Sequence, residues 1–268
     1  DLRRDGLHHQ GWYAEDGSLV AYGWVGLDGG SSKVELDAYV HPDHDASLGV
    51  ELVADLERRG ADLASAVGHH DVVYDTAAYR EDDRTQKWLR ARGFEIGTTF
   101  TRMRIDLDSS VDLSDAHPAI TRRESDNSED ELRVAHALDE ESFAGHYGHV
   151  PKTFEQWRAR LVEHGPGWAR LWLAETDGMP VGLLIGTRQF EDTDDAGYVR
   201  RLGVVPAGRG KGVAKALLRT YFEAARAEGR TAVLLHVDVA NVTGALALYE
   251  SVGMRAVLQM DAFVKRSP

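Results

Sequence analysis

The sequence predicts an α/β (α+β) fold built from two similar domains, each a mixed sheet flanked by helices. Three observations lead to this expectation. Short motifs recur in the same order in the two halves of the 268-residue chain. Strand-like apolar runs alternate with stretches of helical periodicity in the second half. A glycine-rich segment stands between a predicted strand and a predicted helix, where such segments bind phosphate.

The internal repeat rests on three pairs of motifs that lie 160 to 164 residues apart. In the first pair, each member predicts a strand that enters an Asp-Gly hairpin turn. In the second pair, each member is an apolar run that ends in proline. In the third pair, each member has a glycine directly before an apolar residue. Because three matches in register are less common by chance than one, we expect two copies of one fold. The pairs are Trp12–Gly17 with Trp172–Gly178, Val40–Pro42 with Val204–Pro206, and Arg92–Phe94 with Val252–Met254.

The repeat predicts a first domain over residues 1–106, a linker rich in Asp and Ser over residues 107–117, and a second domain over residues 118–268. The first copy has 11 residues ahead of Trp12, whereas 52 residues separate Ile120 from Trp172 in the second. The first copy is therefore expected to lack its opening strand and helices, with further residues upstream of Asp1 in the full protein.

The second copy shows clear periodicity throughout. The predicted strands are Ile120–Arg123, Leu171–Glu175, Val181–Phe190, Tyr198–Val205, Thr231–Val237 and Arg255–Val264. The predicted helices are Glu129–Phe143, Phe154–Glu163, Val213–Glu228 and Gly244–Ser251. Strict strand alternation places Arg200 and Arg201 on opposite faces.

The composition limits the kinds of molecule that the protein is expected to bind. Lys and Arg number 31 against 44 Asp and Glu, a net charge of −13, so nucleic acid and anionic membranes are not expected as partners. The absence of cysteine excludes disulfides, zinc–thiolate sites and a cysteine nucleophile, and it fits a cytoplasmic protein. No apolar run approaches the roughly 20 residues of a membrane span. Two copies in one chain can mimic a dimer, which leaves a monomer and a homodimer as alternatives.

The most informative segment runs from Val204 to Ala214, where an apolar run ends in Pro206 and three glycines and two cations follow. Glycine lets backbone N–H groups face outward without a Cβ atom in the way. The helix expected from Val213 adds unpaired amide donors and the positive end of its dipole. Together these groups predict a cradle for a phosphate or pyrophosphate, and hence a phosphorylated cofactor.

This segment and the order of elements resemble the GNAT acetyltransferase superfamily, whose cofactor motif contains the signature R-x-x-G-x-A. The signature positions hold Arg209, Gly212 and Ala214. A later family element, N-x-x-A-x-x-x-Y-x-x-x-G-F, is approximated by Asn241, Ala245, Tyr249, Gly253 and Met254. The resemblance covers the second half and, weakly, the first, in a tandem-GNAT arrangement distantly like that of mycothiol synthase. It implies two GNAT-like domains, each with a mixed, mostly antiparallel twisted sheet flanked by helices.

The resemblance implies acetyl-CoA as the cofactor. Its pyrophosphate is expected on the backbone amides of Arg209, Gly210, Lys211, Gly212, Val213 and Ala214. Its pantetheine arm is expected to pair, as an added strand does, with Leu202, Gly203 and Val204. Asn241 is expected to bond to the same arm, although eight positions separate it from Tyr249, one more than in the family pattern.

Two catalytic roles follow from the resemblance. The backbone N–H of Val204 is expected to polarise the thioester carbonyl as an oxyanion donor fixed before reaction. Tyr249 matches the family tyrosine that protonates the departing CoA thiolate, and a phenol with a pKa of about 10 stays protonated at neutral pH. The alternative for Tyr249 is a ring that only packs on an amphipathic helix. Without cysteine, the acetyl group passes directly to the acceptor amine.

The first copy lacks these features. Asp45 stands where the second copy has Arg209, and Gly49 alone remains of the glycines. A carboxylate repels a pyrophosphate, and Leu89 takes the place of Tyr249. We therefore expect one working cofactor site, with the first copy helping to wall the acceptor pocket.

The acceptor is expected near the connection between the first two helices of the second copy, over residues 140–151. This segment combines carboxylates, imidazoles, a phenol and glycines, and the alternative is an ordinary helix connection that faces water. The candidate acceptor-binding residues are Glu140, Glu141, His146, Tyr147 and Tyr198, the last standing where mycothiol synthase has an acidic residue. Candidate general bases are Glu140, Glu141, His146, Asp194 and Asp195. No metal site is expected, because His146 and His149 lack a clear third ligand by spacing.

The predicted function is an acetyl-CoA-dependent N-acetyltransferase acting on a primary amine of a small-molecule acceptor. The alternative is a non-catalytic acyl-CoA-binding sensor or interaction module, which needs the glycine loop but not Tyr249. A nucleotide triphosphatase is not expected, because the loop lacks G-x-x-x-x-G-K-[ST] and Gly212 follows Lys211.

Overall fold

The computed structural model of the chain describes residues 7–27, 32–108, 119–144, 151–239 and 244–267. Contacts divide the chain into two units: residues 1–101, 238–240 and 258–268 form the first, and residues 102–237 and 241–257 form the second. The domain boundaries predicted at residues 106 and 118 stay a prediction. Most of the predicted linker lies outside the described residues. The contact-based division differs at the C-terminus, where residues 258–268 group with the first unit.

The first unit is built from a mixed sheet with helices on it. Its elements in chain order are β1 (Leu7–Tyr13), β2 (Leu19–Leu27), β3 (Lys33–Val40), α1 (Ser47–Ala66), β4 (Val73–Tyr79), α2 (Asp83–Ala91) and the part of β5 (Glu95–Asp106) up to Thr101, whose remainder belongs to the second unit. The strands β1, β2 and β3 are antiparallel neighbours, whereas β3 and β4 are parallel. Leu52, Val53 and Leu56 on one side of α1 are fully buried against this sheet, which is the apolar stripe expected of an amphipathic helix.

The second unit contains the remaining elements. They are β6 (Ile120–Glu124), α3 (Glu129–Phe143), α4 (Phe154–Val162), β7 (Ala169–Thr176), β8 (Met179–Phe190), α5 (Glu191–Asp194), β9 (Ala196–Val204), α6 (Val213–Ala227), β10 (Ala232–Asp238), α7 (Ala245–Ser251) and β11 (Arg255–Arg266). Its strands lie in the order β10-β9-β8-β7-β6. The last part of β11 pairs with β4 from Met260 to Arg266, which is why these residues belong to the first unit. The predicted mixed, mostly antiparallel sheets flanked by helices are confirmed.

Glycines on β8 allow α6 to lie directly on the sheet. A Cβ atom at Gly182 would lie 2.8 Å from Cγ1 of Val213, and one at Gly186 would lie 2.2 Å from Cε2 of Tyr221. Because α6 begins at Val213, this close approach fixes the start of the helix on Gly182 of β8, which pairs with Val204 at the end of β9. Within the described residues, no helix is long and apolar enough to cross a membrane.

Gly186→Ala is expected to lower the free energy of unfolding by about 1–3 kcal/mol, the usual cost of overpacking a core. The Tyr221 ring that the new methyl group meets is buried and packs edge-on against Trp172, with ring centroids 5.0 Å apart, so it cannot swing aside. Urea unfolding measures the effect. An unchanged midpoint would contradict the close approach of α6 to β8.

Candidate functional site

The glycine segment forms a tight loop between β9 and α6. A 3₁₀ turn spans Pro206–Gly208, and α6 begins at Val213. Gly210 and Gly212 have φ angles of 74° and 82°, in the left-handed region that favours glycine. These two glycines allow the chain to turn within a few residues from the end of β9 into α6.

Five consecutive backbone N–H groups, those of residues 210–214, have no hydrogen-bond acceptor among the described residues. They lie at the N-terminus of a 15-residue helix, whose dipole adds partial positive charge. Arg209 fastens the loop: its Nε donates to the carbonyl of Val204 at 3.1 Å, and its Nη2 to the carbonyl of Ser142 at 3.3 Å. The free amides can hold an anion of the size of a diphosphate.

The strand that leads into this loop has one open edge. β9 and β10 run parallel but pair only at their first three residues, Ala196–Tyr198 with 232–234. On its other side β9 stays paired with β8 as far as Val204. Among the described residues, the edge of β9 towards β10 is therefore open over residues 199–204, and such an edge can accept an extended ligand as an added strand.

The N–H of Val204 lies on this open edge. The N–H of Val205 donates to the carbonyl of Val181 on the β8 side at 3.0 Å. Because successive N–H groups of a strand point to alternate edges, the Val204 N–H is directed away from β8. The three predicted cofactor residues Leu202, Gly203 and Val204 thus occupy the open segment just before the amide loop, while Asn241 lies outside the described residues.

Tyr249 lies on α7 with its ring packed on the core of the second unit. Its hydroxyl has no hydrogen-bond partner among the residues that the structure describes. Burial, with a smaller contribution from Tyr198, raises the pKa of Tyr249 to about 12. The phenol is therefore protonated and free to donate throughout the physiological pH range.

A polar cluster joins Tyr198, a predicted acceptor residue, to His236 on β10 and Arg102 on β5, two residues that the sequence analysis missed. Nε of Arg102 donates to Nε2 of His236 at 3.1 Å, so this ring nitrogen is the unprotonated one. Nδ1 lies 3.1 Å from the hydroxyl of Tyr198, and in the neutral ring it donates to that oxygen. No local sequence motif marks these residues, because they come from three strands that are distant along the chain.

The neutral state of His236 makes folding stability depend on pH. Burial and, secondarily, Arg102 lower the pKa of His236 to about 4 from its usual 6.5. The unfolded chain therefore binds more protons between these two values, and stability is lost as the pH falls through that window. His236→Gln is expected to lose less unfolding free energy than the parent protein between pH 7 and pH 5, as measured by urea unfolding. An equal loss in both proteins would contradict a neutral His236.

The predicted acceptor residues lie in different surroundings. Glu140 is half-buried on α3 and accepts a backbone N–H from the segment before α4 at 3.3 Å, whereas Glu141 is exposed. Tyr198 is part of the His236 cluster at the paired end of β9. His146 and Tyr147 lie outside the described residues.

The acidic turn after β8 is held by ion pairs. Arg230 contacts Glu191 of α5, and its Nη1 lies 3.3 Å from Oδ1 of Asp195. Asp195 has a left-handed φ of 46° and follows Asp194, the last residue of α5. The contacts of Asp195 anchor the turn that leads into β9.

A β-bulge brings Arg200 and Arg201 to the same cavity. Ile185 of β8 pairs with Arg201 and the next residue, Gly186, pairs with Val199, which leaves Arg200 unpaired. The prediction that the two arginines lie on opposite faces is therefore wrong, because the extra residue breaks the alternation. Both line a cavity of about 170 Å³ between α3, α4 and β9, together with Asp139, Lys152, Trp157 and Arg160.

The first unit repeats the strand geometry, but the amides of Ser47, Leu48 and Gly49 at the start of its helix are already engaged. β3 and β4 also pair in parallel only through three residues, from Lys33 to Glu35 on β3. At the start of α1, however, the carboxylate of Asp45 accepts the N–H of Ser47 at 2.8 Å. The Asp45 carboxylate thus occupies an N–H group that a bound anion could otherwise use. Leu89, which stands where the second unit has Tyr249, is buried in the core.

The second unit matches a known family. Residues 128–254 match the sequence family described as the Acetyltransferase (GNAT) family. Over 122 residues the chain is 34% identical to a mycothiol acetyltransferase of Beutenbergia cavernae, a match that covers 45% of this chain and 40% of that protein. The chain thus spans less than half the length of this relative.

Solved structures extend the likeness to the whole chain. A GCN5-related N-acetyltransferase from Sphaerobacter thermophilus is similar with a TM-score of 0.77 and 25% identity, covering 95% of this chain and 79% of that one. A tandem GNAT protein from the clavulanic acid biosynthesis pathway shows a similar fold, with a TM-score of 0.70, 13% identity, and coverage of 98% and 84%. On these matches, residues 128–254 are similar in sequence to GNAT acetyltransferases, and the chain as a whole shares the fold of these two proteins.

Proposed function

We propose that the chain is an N-acetyltransferase that passes an acetyl group from acetyl-CoA to a primary amine of a small-molecule acceptor. The observation that carries the proposal is the meeting of two features at the end of β9. The open strand edge over residues 199–204 leads directly to the unpartnered amides of residues 210–214. Acetyl-CoA has the matching parts, an extended amide-containing arm and a diphosphate. The match to a mycothiol acetyltransferase supports the same class of reaction.

The residues present fit this cofactor. The free amides at the start of α6 supply donors for the diphosphate oxygens, and the exposed Lys211 adds a cation beside them. Arg209 acts as a positioning residue, because its guanidinium bonds to two carbonyls that hold the loop on β9 and α3. The N–H groups of Leu202 and Val204, on the open edge, are free to pair with the amides of the arm.

The same geometry supports direct transfer. Acetyl-CoA supplies the acetyl group as an activated thioester. The N–H of Val204 donates to the carbonyl oxygen as negative charge develops there, so that less reorganisation is needed during the reaction. Tyr249 donates its proton to the sulfur as the C–S bond breaks and the C–N bond forms. Glu140, half-buried on α3, is the proposed acceptor for the proton that the amine loses.

Two measurements test this function. Isothermal titration with acetyl-CoA is expected to show binding, and a thiol assay for free CoA is expected to show release that depends on an added amine. A panel of small primary amines supplies the acceptors. Failure to bind acetyl-CoA would reject the proposal, whereas tight binding without release for any amine would favour the acyl-CoA-binding module.

A further inference from the structure

The cavity beside the open segment of β9 carries more positive charge than its own residues neutralise. Its carboxylate, Asp139, is 3% exposed and fully engaged. Oδ2 accepts from Nε1 of Trp157 at 3.0 Å, and Oδ1 accepts from Nε of Arg201 at 2.8 Å. The charges of Asp139 and Arg201 therefore cancel, and Asp139 does not compensate the remaining cations of the cavity.

Two of those cations have no partner within the described part of the chain. Neither Arg160 nor Arg200 makes an ion pair or a side-chain hydrogen bond there. The guanidinium of Arg200 lies over the ring of Trp168 at 5.3 Å, a contact that orients the group but leaves its N–H donors free. Both residues line the cavity, so their donors can converge on one bound group.

The arginines also repel each other. Burial is the main cause that lowers the pKa of Arg200, and the charges of Arg160 and Arg201 lower it further. The exposed Glu163 opposes this effect without forming an ion pair. Cations held together in a partly enclosed space favour an anion between them.

We propose that the acceptor is an amino carboxylate whose carboxylate group is bound by Arg200 and Arg160. This inference rests on the proposed acetyl transfer and names the substrate class of that site. The planar guanidinium fork matches a carboxylate in geometry and charge. At roughly 10–15 Å³ for each water-sized sphere, the 170 Å³ cavity takes a molecule on the order of ten non-hydrogen atoms, the size of a small amino acid. The β9 bulge holds Arg200 only four positions before Val204, so a carboxylate bound there leaves the amine near the thioester.

The test uses the full chain saturated with acetyl-CoA and titrated with succinate, a carboxylate that has no amine to react. Succinamide at equal ionic strength is the neutral control. Succinate is expected to bind and succinamide not. Arg200→Met and Arg160→Met are each expected to raise the succinate dissociation constant about tenfold or more, the effect of losing a charged hydrogen bond. Arg158→Met is the matched control, since Arg158 lies on the same helix as Arg160 but does not line the cavity.

A second arm measures transfer to β-alanine and to its amide, and the acid is expected to have a kcat/KM at least tenfold higher. Equal binding of succinate and succinamide, or a succinate affinity unchanged in both cavity variants, would overturn the inference. Because acetyl-CoA binding is measured first, these failures are distinct from failure of the proposed function, which would already appear as a missing acetyl-CoA signal. If Arg200→Met does not fold, Arg160→Met still tests the inference, because Arg160 is exposed and its substitution is expected to leave folding intact.

Discussion

Tyr249→Phe is expected to lower kcat for acetyl transfer by roughly 10²-fold and to leave the acetyl-CoA dissociation constant within about twofold. The hydroxyl has no partner among the described residues, so its loss breaks no internal hydrogen bond. The ring remains and continues to pack on the core of the second unit. The substitution therefore removes only the proton donor. Steady-state kinetics with a saturating amine and titration with acetyl-CoA measure the two quantities separately.

Tyr221→Phe is the matched control for this variant. Tyr221 is a second buried phenol of the same unit, and its hydroxyl donates to the backbone carbonyl of Tyr198 at 3.4 Å rather than standing free. We expect a small loss of stability, on the order of 1 kcal/mol, and an unchanged kcat. If both variants kept the parent kcat while chemistry limited turnover, Tyr249 would be a packing residue and the acid role would fail.

Gly210→Ala is expected to raise the acetyl-CoA dissociation constant by about tenfold or more. Gly210 has a φ of 74°, and an alanine relieves the strain of this conformation by rotating the adjoining peptides. Such a rotation redirects N–H groups that belong to the run of free amides at the start of α6. Loss of one hydrogen bond to a charged group costs about 1.5–3 kcal/mol, which corresponds to the tenfold change or more.

Gly229→Ala is the control that separates the loss of acetyl-CoA affinity from the loss of stability caused by backbone strain. Gly229 lies beyond the other end of α6 with a φ of 82°, and a Cβ atom at either glycine would meet nothing within 4 Å. Both alanine variants are expected to lose about 1–2 kcal/mol of stability, measured by urea unfolding. Only Gly210→Ala is expected to bind acetyl-CoA more weakly. Equal acetyl-CoA dissociation constants in the two variants would show that the free amides at the start of α6 do not bind acetyl-CoA.

Local features of the second unit could be predicted because they depend on nearby residues. The bounds of α3 follow from apolar spacing over residues 129–143, and the structure places the helix at Glu129–Phe143. The start of α6 at Val213 follows from Gly212, which adopts a left-handed φ as the residue before the helix. Glycine and helix periodicity act within a few residues, and these signals stand in the sequence itself.

Features that depend on distant residues could not be predicted. Arg201 contacts Asp139 from 62 positions away in the sequence, and nothing local to either residue marks the pair. The bulge at Arg200 arises from the register of β9 against β8, which strand alternation alone does not reveal. The pairing of β11 with β4 is equally remote, since Met260 lies opposite Tyr79.

The first unit keeps the strand geometry of the second but not its glycine loop. Its strands keep the parallel pairing of only three residues, so the backbone frame persists. Where the second unit has the glycine loop, the first unit has a segment containing Asp45, whose carboxylate accepts the N–H of Ser47 at the start of α1. This hydrogen bond is consistent with the prediction of a single cofactor site, which stays a prediction.

The most direct test of the central claim is the stoichiometry of acetyl-CoA binding to the full chain by isothermal titration. We expect one acetyl-CoA per chain, with that binding weakened in Gly210→Ala and unchanged in Asp45→Ala. A stoichiometry of two, or a single site whose affinity responds to Asp45→Ala but not to Gly210→Ala, would contradict a cofactor site at the start of α6.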